Sequence, residues 1–293
     1  MKKKKVHGYV RAVIQLFFFV FFPSIYTSAF SGIKYVFTNL GAKAPIELSG
    51  FLTILIVISI YTIVFGRFFC GYACAFGSLG DAVRALYVWI CRKIKKKPVT
   101  VNRKAAGVLQ YGKYLILAVI VCLCFSGIYG TLTGWNPWDV FSMTHAGNFA
   151  YSTYKTGVVL MILILVLMAV SDRGFCRFLC PMGAWFALLP VFPFFAVKRD
   201  KKACIPKCRA CLVRCPADID IPQTGSWTMK GDCFACGKCI DICPKKHIGC
   251  GGMVLGSKGD NETPRVSKFK GNEIIFSVIR AVILLLVMIW AGV

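Results

Sequence analysis

Acidic side chains are scarce in this sequence: 12 Asp and Glu stand against 36 Lys and Arg in 293 residues, a net charge of +24. Charge of either sign is thin, at 16% of residues against 57% hydrophobic, which excludes a soluble domain with an ordinary polar shell. The positive charge lies in blocks between apolar runs, which favours a membrane surface over nucleic acid as the partner of that charge. Histidine is scarcer still, at three: His7, His145 and His247. None sits inside an apolar run, so histidine-ligated membrane haem is not expected. There is no G-x-G-x-x-G after a strand, no P-loop and no Ser-His-Asp pattern, so nucleotide and triad chemistry have no foothold.

Cysteine, by contrast, is abundant, with 16 residues. Eight fall in two runs, C-x3-C-x2-C-x3-C-P (Cys204, Cys208, Cys211, Cys215, Pro216) and C-x2-C-x2-C-x3-C-P (Cys233, Cys236, Cys239, Cys243, Pro244), whose last three cysteines and proline recur at an offset of 28. Zinc would pair two C-x2-C hooks, and disulfides need an oxidising compartment; two runs each ending in Cys-Pro fit two [4Fe–4S] clusters instead. Three closely spaced thiolates wrap one cluster, and the fourth, before proline, crosses to the other. One cluster is therefore expected on Cys204, Cys208, Cys211 and Cys243, the other on Cys233, Cys236, Cys239 and Cys215. The first run carries one extra residue among Ile205, Pro206 and Lys207, which either loosens Cys204 or adds a bulge.

The apolar pattern predicts spans over about Val13–Ala29 (kinked at Pro23), Phe51–Phe65, Tyr114–Tyr129 and Gly157–Val170. The basic start followed by an apolar run also resembles a secretory signal, but the run is long and further spans follow it. A last run, Ile274–Val293, is long enough to cross but carries Arg280, so it crosses, tilts, snorkels or packs on a partner. The segments Ser31–Leu48 and Gly130–Thr156 hold few basic residues and read as outer loops. The amino terminus and the ferredoxin segment then lie in the cytoplasm, where thiolates stay reduced.

A second repeat lies on this map. Arg67, Phe69, Cys70, Cys74 and Gly77 match Arg173, Phe175, Cys176, Cys180 and Gly183 at a constant offset of 106. Two spans and a C-x3-C hook thus occur twice in one orientation, which implies a pseudo-two-fold axis along the membrane normal. The four hook cysteines, Cys70, Cys74, Cys176 and Cys180, are enough for a third iron–sulfur or other metal centre; buried packing and a redox thiol pair are the rival readings. After Cys74, Phe76, Leu79, Val83, Leu86 and Ile90 recur at helical spacing with Arg84 opposite, as in a helix lying in the membrane interface. Pro190 and Pro193 keep Trp185–Val197 from being one straight span. Cys91, Cys122, Cys124 and Cys250 match no pattern, and Trp135 and Trp138 read as interfacial belt residues.

The hooks "GRFFCGYACAFG" and "DRGFCRFLCPMG", the four spans and the trailing ferredoxin runs resemble the NapH/NosR-type membrane polyferredoxins over about Arg11–Gly251. That family's hook reads C-x3-C-P; the second hook keeps it with Pro181, while the first has Ala75. The expected architecture is an α-helical membrane protein with two pseudo-symmetric two-span repeats (residues 1–199), a cytoplasmic two-cluster ferredoxin-like α+β segment (200–252), and a linker with a fifth apolar helix (253–293). The resemblance implies a relay between cytoplasmic donors or the quinone pool and a redox partner, as an electron-transfer subunit of a quinol-linked oxidoreductase in a bacterial-type inner membrane. A flavoprotein or haem protein is the natural partner, membrane lipid the surroundings, quinone a candidate ligand, and nucleic acid is not expected. Electron delivery for the maturation of another enzyme's metal centre is the alternative.

Overall fold

The computed structural model describes residues 6–131, 134–149, 151–192, 197–199, 204–222, 231–245, 248–250 and 273–292. Lys2–Lys5, Pro193, His247 and most of the linker before the last helix lie outside them, as do the side chains of His7 and Cys250. The protein is an α-helical membrane protein. Among the described residues two helices are long and apolar enough to cross a membrane, Phe68–Lys93 taken through the first hook and Arg103–Phe125. A third crossing counts if the bent pair at the amino terminus is one span.

That bent pair is α1 (Val6–Phe21) and α2 (Ile25–Gly41), set at 63° around Pro23. Proline has no N–H to give the helix and its ring clashes with the preceding turn, so the break falls there as expected. The helix does not stop at Ala29. Ile33, buried, and the half-buried Val36 and Phe37 carry the helical pattern onward, so Ser31–Gly41 is not a loop.

The next helix, α3 (Gly50–Phe65), starts where the Ser49 hydroxyl accepts the Leu52 N–H at 3.4 Å. It is followed by the short α4 (Phe68–Tyr72) and by α5 (Ala75–Lys93). After α6 (Arg103–Leu109), the same order returns: α7 (Gly112–Phe125), α8 (Pro137–His145), α9 (Lys155–Val170), α10 (Gly174–Phe178) and α11 (Pro181–Leu188). Both α4 and α5 begin 106 residues before α10 and α11, so the offset read from two hooks extends to the helices around them. Packing follows the same pairing, with α2 on α3 as α8 on α9, and α1 on α5 as α7 on α11.

One face differs from expectation. Arg84 is buried, while Leu86, Trp89 and Ile90 point outward. The Arg84 guanidinium donates to the Ala169 carbonyl at 2.6 Å, near the end of α9, and lies 3.7 Å from Asp172. A cation there satisfies an open helix-end carbonyl and the helix dipole. Of the apolar positions along this helix, Phe76 is buried and Leu79 and Val83 pack on the core, while Leu86 and Ile90 stay exposed.

The ferredoxin segment contributes a two-stranded antiparallel pair, β1 (Val197–Arg199) with β2 (Ile248–Cys250), and two short helices, α12 (Ala210–Arg214) and α13 (Lys238–Ile242). Its first strand therefore precedes residue 200. The last helix, α14 (Glu273–Trp290), packs on α1, α3 and α4. Arg280 faces inward, 2% exposed, between the rings of Phe68 and Phe276, and Tyr61 donates to its carbonyl at 2.9 Å. Burial against aromatic faces is how this helix accommodates a cation that lipid would reject.

Candidate iron–sulfur sites

The 28-residue repeat in sequence is a repeat in space. Helices α12 and α13 start 28 residues apart and pack on each other. Each ends at the cysteine before proline, and Cys215 (φ −72°, ψ 119°) and Cys243 (φ −67°, ψ 114°) share one extended conformation, as a pre-proline residue must. Lys207 and Ala235, also 28 apart, both take the left-handed conformation, at φ 60° and 48°. The extra residue of the first run therefore lies upstream of Lys207, in a turn closed by the Cys208 N–H on the Ile205 carbonyl at 3.1 Å.

The eight cysteines lie in two adjoining groups. Cys215, Cys233, Cys236 and Cys239 line one cavity with Pro216, Ile219 and Phe234. Cys211 and Cys243 share a small buried cluster with Val197, Ile221 and Ile248, against which Cys233 and Cys239 also pack, and Cys204 is in electrostatic contact with Cys243, Cys211 and Cys208. Burial pushes the Cys204 thiol up, as do those three neighbours, against the opposing Arg199. Burial likewise pushes Cys215 up. The donor sets fit two cubane clusters: four soft sulfurs each, one set around a cavity, with no disulfide among the described cysteines.

The hooks are built alike. Cys70 lies in α4 and Cys176 in α10; Cys74 and Cys180 are the cap residues of α5 and α11. The Gly183 N–H points to Cys180 Sγ at 3.2 Å, and the Tyr26 hydroxyl lies 3.6 Å from the same sulfur. Ala75 stands where the second hook has Pro181, yet the capping backbone is nearly the same (φ −68°, ψ 123° at Cys74; φ −71°, ψ 115° at Cys180). A Cβ on Gly77 would sit 2.7 Å from the Cys70 carbonyl, and one on Gly183 would sit 2.9 Å from that of Cys176. This close approach is why glycine is needed three residues after each second cysteine.

All four hook cysteines are buried, and Cys74 and Cys176 each interact electrostatically with sulfurs of the other hook. Among the described residues no three His, Cys, Asp or Glu side chains close on a point as the ligands of a single ion do. Arg67 and Arg173, each under 2% exposed, flank the cysteines. Arg67 is in electrostatic contact with Cys70 and Cys180, and its guanidinium lies within hydrogen-bonding reach of the Cys70 thiol. Buried N–H donors of this kind beside four thiols fit an anionic centre.

Two carboxylates hold these arginines. Asp81 pairs with Arg173 at 2.6 Å, with Arg11, and with Lys238 at 3.5 Å. Asp232 pairs with Arg67 at 3.3 Å and with the buried Lys113. Sequence reading passed over both carboxylates; Asp81 had a signal, as a rare acid within an apolar helix. It passed over Tyr26 as well, which sits in an apolar run with nothing to mark it. Trp138 stacks on Tyr26 and Phe30, at 6.3 and 5.2 Å, whereas Trp135 is exposed. Cys124 is buried in the core, and Cys122 is exposed.

The 4Fe-4S binding domain family matches residues 48–98 and 155–200, the two segments that carry the hooks. An uncharacterized protein of Methanocaldococcus jannaschii is 30% identical over 203 residues, 69% of this chain and 72% of the relative. The ferredoxin-type protein NapH of Haemophilus influenzae is 26% identical over 199 residues, 65% of this chain and 64% of the relative. The chain belongs to the NapH-type family of ferredoxin-type membrane proteins. Another uncharacterized M. jannaschii member is 29% identical over 244 residues, covering 82% of this chain and 93% of its own. The methylamine utilization ferredoxin-type protein MauN of Methylobacillus flagellatus is 26% identical over 195 residues, 66% of this chain and 53% of that relative. No solved structure matches the chain.

Proposed function

We propose that this protein is a membrane-anchored electron-transfer relay with two [4Fe–4S] clusters in the ferredoxin segment and a third iron–sulfur centre shared by the hooks. The observation that carries the reading is the cavity lined by Cys215, Cys233, Cys236 and Cys239, one of the two ligand sets that the motif spacing predicts. Cys204, Cys208, Cys211 and Cys243 would bind one cluster; Cys215, Cys233, Cys236 and Cys239 the other. Cys70, Cys74, Cys176 and Cys180 would bind the third on a pseudo-two-fold axis, with Arg67 and Arg173 offsetting its negative charge.

Clusters of this type exchange single electrons, and the protein's part is to hold them close, exclude water and set their potential. Relatives named ferredoxin-type proteins and a putative electron transport protein of Escherichia coli support that role. The basic blocks support a cytoplasmic ferredoxin segment, in an inner membrane. A quinone, flavoprotein or haem protein would complete the path.

The test is direct. Protein purified without oxygen is assayed for iron and acid-labile sulfide, and the reduced sample is examined by EPR. About eight irons per chain from the ferredoxin segment alone, with [4Fe–4S] signals, are expected. Less than one cluster per chain defeats the reading.

A further inference from the structure

The run Gly231–Lys238 touches both halves of the membrane part. The Phe234 ring is 2% exposed and has the Arg67 guanidinium 5.0 Å from its centroid and that of Arg173 at 5.4 Å. These are the two arginines related by the 106-residue offset, so one ring takes a cation from each repeat. Two further close approaches fix the backbone. The Phe234 carbonyl lies where a side chain on Gly71 would be, and a Cβ on Gly231 would sit 2.6 Å from the Ala187 carbonyl. Asp232 and Lys238, on either side, pair with Arg67 and Asp81.

The other run is placed differently. Ile205 to Arg209 are exposed, and Cys208 is exposed among the cysteines of both runs. Cys236, in contrast, is buried and in electrostatic contact with Arg173.

We propose that Phe234 is a positioning residue that seats the Cys215/Cys233/Cys236/Cys239 set on the two hook arginines, which puts the three centres in a fixed series. The Cys208 side faces the aqueous partner, and the Cys236 side faces the hooks. Clusters held by these three cysteine sets would carry single electrons from a one-electron donor at the Cys208 side toward the hooks, each centre being reduced as the one before it is reoxidised, with no bond broken. This order rests on the function proposed above. Its physical basis is a cation–π contact from each repeat, made between side chains that are almost fully buried, where such contacts are strongest.

The test uses the full-length protein, purified anaerobically in detergent and reduced with dithionite. Phe234→Leu keeps an apolar side chain and removes the π face; Phe234→Trp keeps the face. The readouts are iron per chain, the magnetic interaction between hook and ferredoxin EPR signals, and the rate at which trypsin releases the ferredoxin segment. Phe234→Leu is expected to keep its iron, lose the magnetic interaction and release the segment about tenfold faster, with Phe234→Trp close to wild type. Unchanged interaction and release overturn the proposal. Loss of one cluster's iron also overturns it, since Phe234 would then be core to the cluster fold. If the wild type shows no iron–sulfur signal, the relay reading itself fails; if it does and Phe234→Leu matches it, only the seating is wrong.

Discussion

Arg173, the residue that opens the second hook's helix, donates a hydrogen bond to the carbonyl oxygen of Cys70 in the first. Its Nη2 also reaches the Gly71 carbonyl at 2.9 Å and Asp81 at 2.6 Å. The backbone of one hook is thus held by the other half of the protein. Replacing this buried cation leaves carbonyls and a carboxylate short of a partner. Arg173→Met is expected to destabilise the protein by about 3–5 kcal/mol, read as a lowered melting midpoint in detergent. A shift of no more than that of a surface substitution would show that the contact is incidental.

The two glycines give a paired prediction. Gly77→Ala and Gly183→Ala each force a methyl group onto the carbonyl of a hook cysteine. Each is expected to cost about 1–3 kcal/mol, the usual penalty of overpacking. Gly107→Ala is the control, since nothing lies within 4 Å of its Cβ position. The comparison of three melting midpoints checks it.

Cys208→Ser and Cys236→Ser are expected to remove about four irons each, and to remove different EPR signals, because they fall in different ligand sets. Loss of the same signal by both would mean that the two cysteine runs do not hold separate clusters. The double variant should release the ferredoxin segment to proteolysis, since clusters supply much of a small domain's stability.

Much of this was legible in the sequence because it is carried by spacing. The 28-residue offset of the cysteines returns in the starts of α12 and α13, and the 106-residue offset in the matched hooks, because a repeat in ligands imposes a repeat in the backbone that presents them. The break at Pro23 was equally local. What escaped was decided by partners far along the chain. Arg84 looks like an outward charge until Ala169, on another helix, offers it a carbonyl. Arg280 looks too costly for an apolar helix until Phe68 covers it. Tyr26 and Phe234 carry no spacing at all; an aromatic residue in an apolar or cysteine-rich run reads as filling until its neighbours are known.

Arg84→Leu follows from that correction. It deprives Ala169 of its donor and is expected to destabilise the protein by about 1–3 kcal/mol, without altering iron content. Thermal melting and iron assay on one preparation separate those two effects.

The measurement that bears most directly on the central claim is EPR of reduced Cys70→Ser and Cys176→Ser protein beside the wild type. These cysteines lie 106 residues apart, one in each hook. A centre shared by the hooks predicts that both substitutions abolish one and the same signal and leave both ferredoxin signals in place. If they affect different signals, or none, the hooks do not share a centre.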